Sequence, residues 1–314
     1  MRAKYPRLNN MVHKTSFFQK IALVILSVFI FLILIEAGLR ISGFVILSLQ
    51  ERRNMAALMQ RGEYLILCLG ESTTQGQYPK FLQEELNRRN TGIRFTVIDK
   101  GVTGTNTSII LSGLESDISE YLPDMVITMM GINDSGPYMP YGPVSDSKAA
   151  NFFKSFRIYK LVRILRLNIM AGINKRTYGR EKNKLEDGAA HAGPADFRNE
   201  ADGAYLSHYS STTAGNYNKL KNVLDKRNIV YVCSQYPMRD LGPLKRVFKG
   251  DVDGIVFVDN EAIFKNAVDK EGYQNYFKDS FGGDFGHCTD KGNRLLAQNI
   301  ADAVLKEILI KKIQ

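Results

Sequence analysis

Tyr64-Leu65-Ile66-Leu67-Cys68-Leu69-Gly70-Glu71-Ser72-Thr73-Thr74-Gln75-Gly76 passes abruptly from an apolar run into small polar residues. A short apolar run bounded by turn signals reads as a buried strand of an α/β sheet. Sheets of that class hold ligands beyond the carboxyl ends of their strands. Ser72 stands at such an end, which makes it a candidate nucleophile. Taken alone, the pattern also fits an ordinary turn serine.

Working outward, residues 95–99, 125–130, 229–234 and 255–258 are further strand-like runs. Helical patterns separate them. Residues 78–87 carry Pro79 in a first turn and Leu82 and Leu86 on one face. Residues 108–122 repeat Leu111, Leu114, Ile118 and Leu122, and residues 217–227 repeat Tyr217, Leu220 and Leu224. Residues 289–312 open on Thr289 as a cap and continue through Leu296, Ile300, Val304 and Ile308. Strands alternating with helices predict a three-layer α/β/α sandwich. Its sheet is expected to be five-stranded, mostly parallel and in flavodoxin-like order.

Toward the amino terminus the pattern changes. Residues 1–20 hold Arg2, Lys4, Arg7, Lys14 and Lys20 and no acid. Residues 21–35 are apolar except for Ser27 and, with Phe17, Phe18 and the stretch to Leu39, approach the roughly 20 residues that cross a bilayer as a helix. Lys20 and Arg40 are placed to snorkel from its ends. The absence of a small-x-small cleavage site favours an uncleaved signal anchor over a signal peptide. Residues 1–20 then read as a cytoplasmic tail, 21–40 as a transmembrane helix and 41–62 as a stalk. Residues 63–314 form the main domain, outside a bacterial inner membrane.

The chain has 314 residues and a net charge of +10, which suits an anionic neighbour such as a membrane surface or an acidic glycan. Cys68, Cys233 and Cys288 make neither a disulfide framework nor a zinc pattern. No phosphate-binding or dinucleotide fingerprint occurs. The anchor and the lack of a recognition motif argue against nucleic acid. The regular alternation breaks at 135–208, which reads as an insertion. Within it, residues 152–170 set Arg157, Lys160, Arg163 and Arg166 against Ile158, Leu161, Leu165 and Ile169, a basic amphipathic helix. Packing on the core with one solvated face explains that pattern, and so does contact with anionic headgroups or an acidic polymer. Residues 176–205 are polar and aperiodic.

Acyl transfer needs a nucleophile, a base, a group that orients the base, and donors for the oxyanion. Histidine is scarce. His13 precedes the apolar stretch, and His191 and His208 lie in the insertion or at its edge. His287 sits in Phe281-Gly282-Gly283-Asp284-Phe285-Gly286-His287, just before the last helix. Asp284, three residues earlier, can meet the imidazole Nδ1 on a turn, leaving Nε2 for the serine proton. Asp290 is the alternative orienting acid. The loop after the second strand contains Gly101-Val102-Thr103-Gly104, and the loop after the third contains Gly131-Ile132-Asn133-Asp134. Glycine lets a backbone N–H approach a ligand, and Asn133 offers an uncharged side-chain donor.

These four blocks, Gly70-Glu71-Ser72, Gly101 to Gly104, Gly131 to Asp134 and Asp284-x-x-His287, stand in the order found in SGNH hydrolases, the GDSL-like lipases and acylhydrolases. Over residues 64–309, apart from the insertion, the chain resembles that superfamily. The resemblance implies Ser72 as nucleophile, His287 as base and Asp284 as its orienter. It implies an oxyanion hole of the Ser72 N–H, the Gly104 N–H and the Asn133 side chain. Glu71 departs from the aspartate of the family name and is no triad member. Asp99 stands where many relatives carry asparagine. The implied activity is ester hydrolysis on a cell-envelope glycan, such as its O-acetyl groups, or on a lipid, with no metal or organic cofactor. An acyltransferase with the same triad and a non-catalytic envelope-assembly module are the alternatives.

Overall fold

The computed structural model describes residues 16–134, 148–163, 165–166, 209–280 and 284–313. Five strands form one sheet: β1 (Tyr64–Gly70), β2 (Phe95–Gly101), β3 (Met125–Met129), β4 (Val230–Ser234) and β5 (Ile255–Val258). All pairings are parallel, in the order β2-β1-β3-β4-β5. This is the expected flavodoxin-like sandwich.

Alternate residues of β1 feed two cores. Ile66 and Cys68 point into one, with Phe81, Leu82 and Leu86 of α2 (Tyr78–Arg88) and Leu296, Ile300 and Val304 of the last helix, Asp290–Ile313. Leu65, Leu67 and Leu69 point into the other, with Ile110, Leu114, Ile118, Tyr217, Leu220 and Leu224. The period-2 alternation of strand side chains is what lets one sheet support both layers. The pattern over 108–122 resolves into two helices, α3 (Thr107–Ser112) and α4 (Leu114–Tyr121), broken at Gly113. All three cysteines are free and buried.

Residues Phe17–Met59 form one continuous helix of 43 residues, α1, about 65 Å long at 1.5 Å per residue. Its amino-terminal apolar side chains are exposed from Phe17 to Leu34, so this is no core helix. It is long and apolar enough to cross a membrane. Beyond residue 40 the helix continues to Met59 and meets the domain through Gln50 and Asn54. Gln50 Nε2 donates to the carbonyls of Asp99 (2.7 Å) and Gly101 (2.9 Å). Asn54 pairs with both backbone groups of Asp99. These amides occupy the free edge of β2, which would otherwise present unpaired backbone groups.

Within the insertion, α5 (Lys148–Lys154) and helical residues 157–163 and 165–166 are described. His13, His191, His208 and the polar stretch 176–205 lie outside the described residues.

Candidate active site

Three strand ends lie side by side. Gly70 of β1 pairs with Gly101 of β2 and with Met129 of β3. The segments that follow them carry Ser72, Gly104 and Asn133, so parallel register alone brings the three expected blocks to one edge of the sheet. The chain after β1 closes at once into a tight turn, with the N–H groups of Thr74 and Gln75 both bonded to the Glu71 carbonyl at 3.0 Å. Ser72 sits half-buried on that turn.

His287 reaches Ser72 from the far end of the sequence. Its Nε2 lies 2.9 Å from the Ser72 Oγ. Its Nδ1 lies 2.7 Å from Oδ2 of Asp279, and its backbone N–H donates to the other oxygen of the same carboxylate at 3.0 Å. A carboxylate at Nδ1 holds the proton there, so Nε2 is the acceptor for the serine hydroxyl.

The carboxylate at the imidazole is therefore Asp279, where the Asp-x-x-His spacing led us to expect Asp284. The reason is the local fold. Phe277 and Cys288 form an antiparallel bridge, and Lys278 N–H donates to the His287 carbonyl at 2.8 Å. This doubling-back sets residue 279 against 286 and 287, closely enough that a Cβ on Gly286 would fall 1.8 Å from the Asp279 carbonyl oxygen. Asp284 instead forms an ion pair with Arg239 at 2.9 Å. Its neighbour Phe285 stacks on Tyr236, and the Arg239 guanidinium lies over the Phe285 ring. Asp284 thus helps to seat the loop that carries the histidine. The alternative acid, Asp290, begins the last helix. The signal that was available in sequence is the Gly282-Gly283 pair between Phe277 and Cys288, a hairpin pattern.

In the loop after β2, Gly104 has φ +67°, a conformation that glycine adopts without strain. Its carbonyl accepts a hydrogen bond from Lys160 Nζ. Asn133 lies in a short 3-10 turn, Ile132–Asp134, and spends one of its two amide hydrogens on the Thr105 carbonyl at 2.9 Å. The two loops are also joined by Asp134, whose carboxylate accepts from the N–H and hydroxyl of Thr107 and from the Thr213 hydroxyl. Gln75 ties the Ser72 turn to the same region, donating to Gln50 of α1 and accepting from Thr103 N–H.

Glu71, set aside in the sequence as a bystander, holds this arrangement together. Its carboxylate is fully buried and accepts from Gly131 N–H (3.1 Å), Asn133 N–H (3.3 Å) and the Tyr236 hydroxyl (2.9 Å). Desolvation is the largest influence and pushes its pKa up to about 8, against hydrogen bonds that favour the anion. Asp99 plays a similar part, accepting from Gly76 and Gly101 N–H at 2.7 and 2.9 Å, with burial raising it to about 6.

The raised Glu71 value has a consequence for stability. Folded, the carboxyl keeps its proton up to about pH 8, whereas unfolded it loses it near 4.5. Between those values unfolding releases a proton, so this group's contribution falls as pH rises and levels off above 8. Glu71→Gln retains acceptors for the two loop N–H groups and cannot ionise. Its melting temperature relative to wild type is expected to rise by several degrees from pH 5 to pH 8. Thermal melts at the two pH values check this; parallel shifts would refute the buried-acid account.

No protein-family model matches the chain, and no curated protein does. Solved structures do resemble it. An acetylxylan esterase from Geobacillus stearothermophilus is 15% identical, with 78% of this chain and 95% of that one covered at a TM-score of 0.45. The acetyl xylan esterase AlAXEase is 17% identical, covering 76% and 99% at 0.44. A protein assigned as a GDSL-like lipase, from Parabacteroides merdae, is 14% identical, covering 77% and 96% at 0.44.

Proposed function

We propose that this chain is a serine esterase of the SGNH hydrolase type, anchored in a membrane by α1. The observation that carries the reading is the continuous relay from Ser72 Oγ to His287 Nε2 and from Nδ1 to Asp279, at 2.9 and 2.7 Å. In it, His287 removes the hydroxyl proton as Ser72 Oγ attacks an ester carbonyl. The Ser72 N–H, the Gly104 N–H and the Asn133 amide receive the oxyanion, each donor worth about 3 kcal/mol of barrier. The imidazolium, held by Asp279, returns its proton to the departing alcohol. Water, deprotonated by the same imidazole, then releases the acid and restores Ser72.

The substrate is an ester-bearing molecule of the cell envelope, an O-acylated glycan or a lipid. The apolar span of α1, the acid-free basic residues before it and the net charge of +10 support this. The same basic residues favour an amino terminus in the cytoplasm and a catalytic domain on the opposite side of a bacterial inner membrane. Detergent-purified full-length protein incubated with O-acetylated envelope glycan is expected to release free acetate at a rate independent of added deacetylated glycan. Acetate appearing on the added glycan in place of free acetate would reassign the chain as an acyltransferase. No loss of acetyl groups from either glycan or lipid esters would contradict both.

A further inference from the structure

Residues 157–160 of the insertion meet both α1 and the loop after β2. The Glu36 carboxylate accepts the N–H groups of Arg157 (3.1 Å) and Ile158 (3.0 Å), capping the helical residues that begin there, and also pairs with Arg40 at 2.7 Å. The Arg157 guanidinium donates to the Leu39 carbonyl at 3.2 Å and lies flush on Gly43, where a Cβ would overlap it. Glu36 is nearly buried by these contacts.

The position of this junction along α1 is informative. Counting from Phe17, the roughly 20 residues that traverse about 30 Å of hydrocarbon end at Glu36. The insertion therefore joins α1 where that helix would leave the bilayer. There it presents apolar side chains outward: Phe152 is 61% and Phe153 65% exposed, with Val162 and Leu165 also exposed. Ile41 and Phe44 of α1, just past the junction, are exposed too. Between 148 and 166 the sequence has Lys148, Lys154, Arg157, Lys160, Arg163 and Arg166 and no acid. Exposed aromatic and aliphatic side chains among cations, contiguous with a membrane-crossing helix, match the headgroup–acyl boundary of an anionic bilayer.

We infer that residues 148–163 and 165–166 lie along the membrane surface. Phe152, Phe153, Val162 and Leu165 enter the interface beside α1, and Arg163 and Arg166 meet lipid phosphates. The occupant of this surface is the lipid bilayer itself. The inference rests on α1 crossing the membrane and does not depend on the esterase chemistry. It has a bearing on that site, because Lys160 of the same segment binds the Gly104 carbonyl and so brings the oxyanion loop to the membrane side of the domain.

The chain contains no tryptophan, so Phe153→Trp supplies a unique fluorophore. Full-length variant protein is reconstituted into vesicles of phosphatidylethanolamine and phosphatidylglycerol. Co-flotation with the vesicles reports insertion of α1 by itself, and ester turnover reports the catalytic site by itself. The expected result is blue-shifted indole emission, with strong loss of intensity when the lipids carry bromine near the glycerol end of their chains and little loss with acrylamide. Red-shifted emission quenched by acrylamide would place the segment in water and overturn the inference. Blue-shifted emission insensitive to bromine would mean that protein covers these side chains, and would overturn it equally. Failure to float would remove the bilayer contact altogether.

Discussion

Asp279→Asn is expected to lower kcat on a small activated acetate ester by roughly a thousand- to ten-thousand-fold, with KM little changed. The substitution preserves volume. It replaces the acceptor at 2.7 Å from the His287 Nδ1 with an amide that can donate. A donor there favours the tautomer with its proton on Nε2, which cannot accept from Ser72. It also removes the negative charge that stabilises the imidazolium. Asp284→Asn is expected to reduce kcat by less than about tenfold, because its partner is Arg239 and its effect on the site passes through the loop. It should lower the melting temperature instead, leaving a largely buried guanidinium without its carboxylate. Steady-state rates of the two variants decide between the acids. A severe loss in Asp284→Asn with an active Asp279→Asn would reverse the assignment.

Ser72→Ala should have the largest effect of any single substitution. Removal of the nucleophile from a Ser-His pair costs on the order of a million-fold in kcat, which for an activated ester reaches background. His287→Ala is expected to cost about as much, and the double variant no more than either alone, because the two side chains act as one unit at 2.9 Å. Progress curves of the three proteins check this. Additive losses would mean that the serine and histidine work separately.

The sheet was legible because its strands are short apolar runs ending in turn residues. Tyr64–Gly70 and Ile255–Val258 could be read almost to the residue. Ser72, Gly104 and Asn133 each follow a strand-like run, and it is the resemblance to SGNH hydrolases that groups them in the sequence. What periodicity could not show was pairing between segments. Gln50 and Asn54 look like ordinary polar positions on a helix, and only the fold reveals that they cap the edge of β2. Asp279 was missed for the same reason. A carboxylate three residues from a histidine is a local pattern, whereas one eight residues away depends on the bridge between Phe277 and Cys288. Glu71 carries no local mark of its role, because its position next to Ser72 is not that of a triad member. The three groups that donate to its carboxylate lie 60 to 165 positions further along.

The central claim is that Ser72 is an activated nucleophile. A fluorophosphonate probe, followed by proteolysis and mass spectrometry of the full-length protein, tests it most directly. The expected result is one phosphonylated serine, Ser72, with labelling abolished in both Ser72→Ala and His287→Ala. Labelling of a different serine, or undiminished labelling of Ser72 in His287→Ala, would contradict the account.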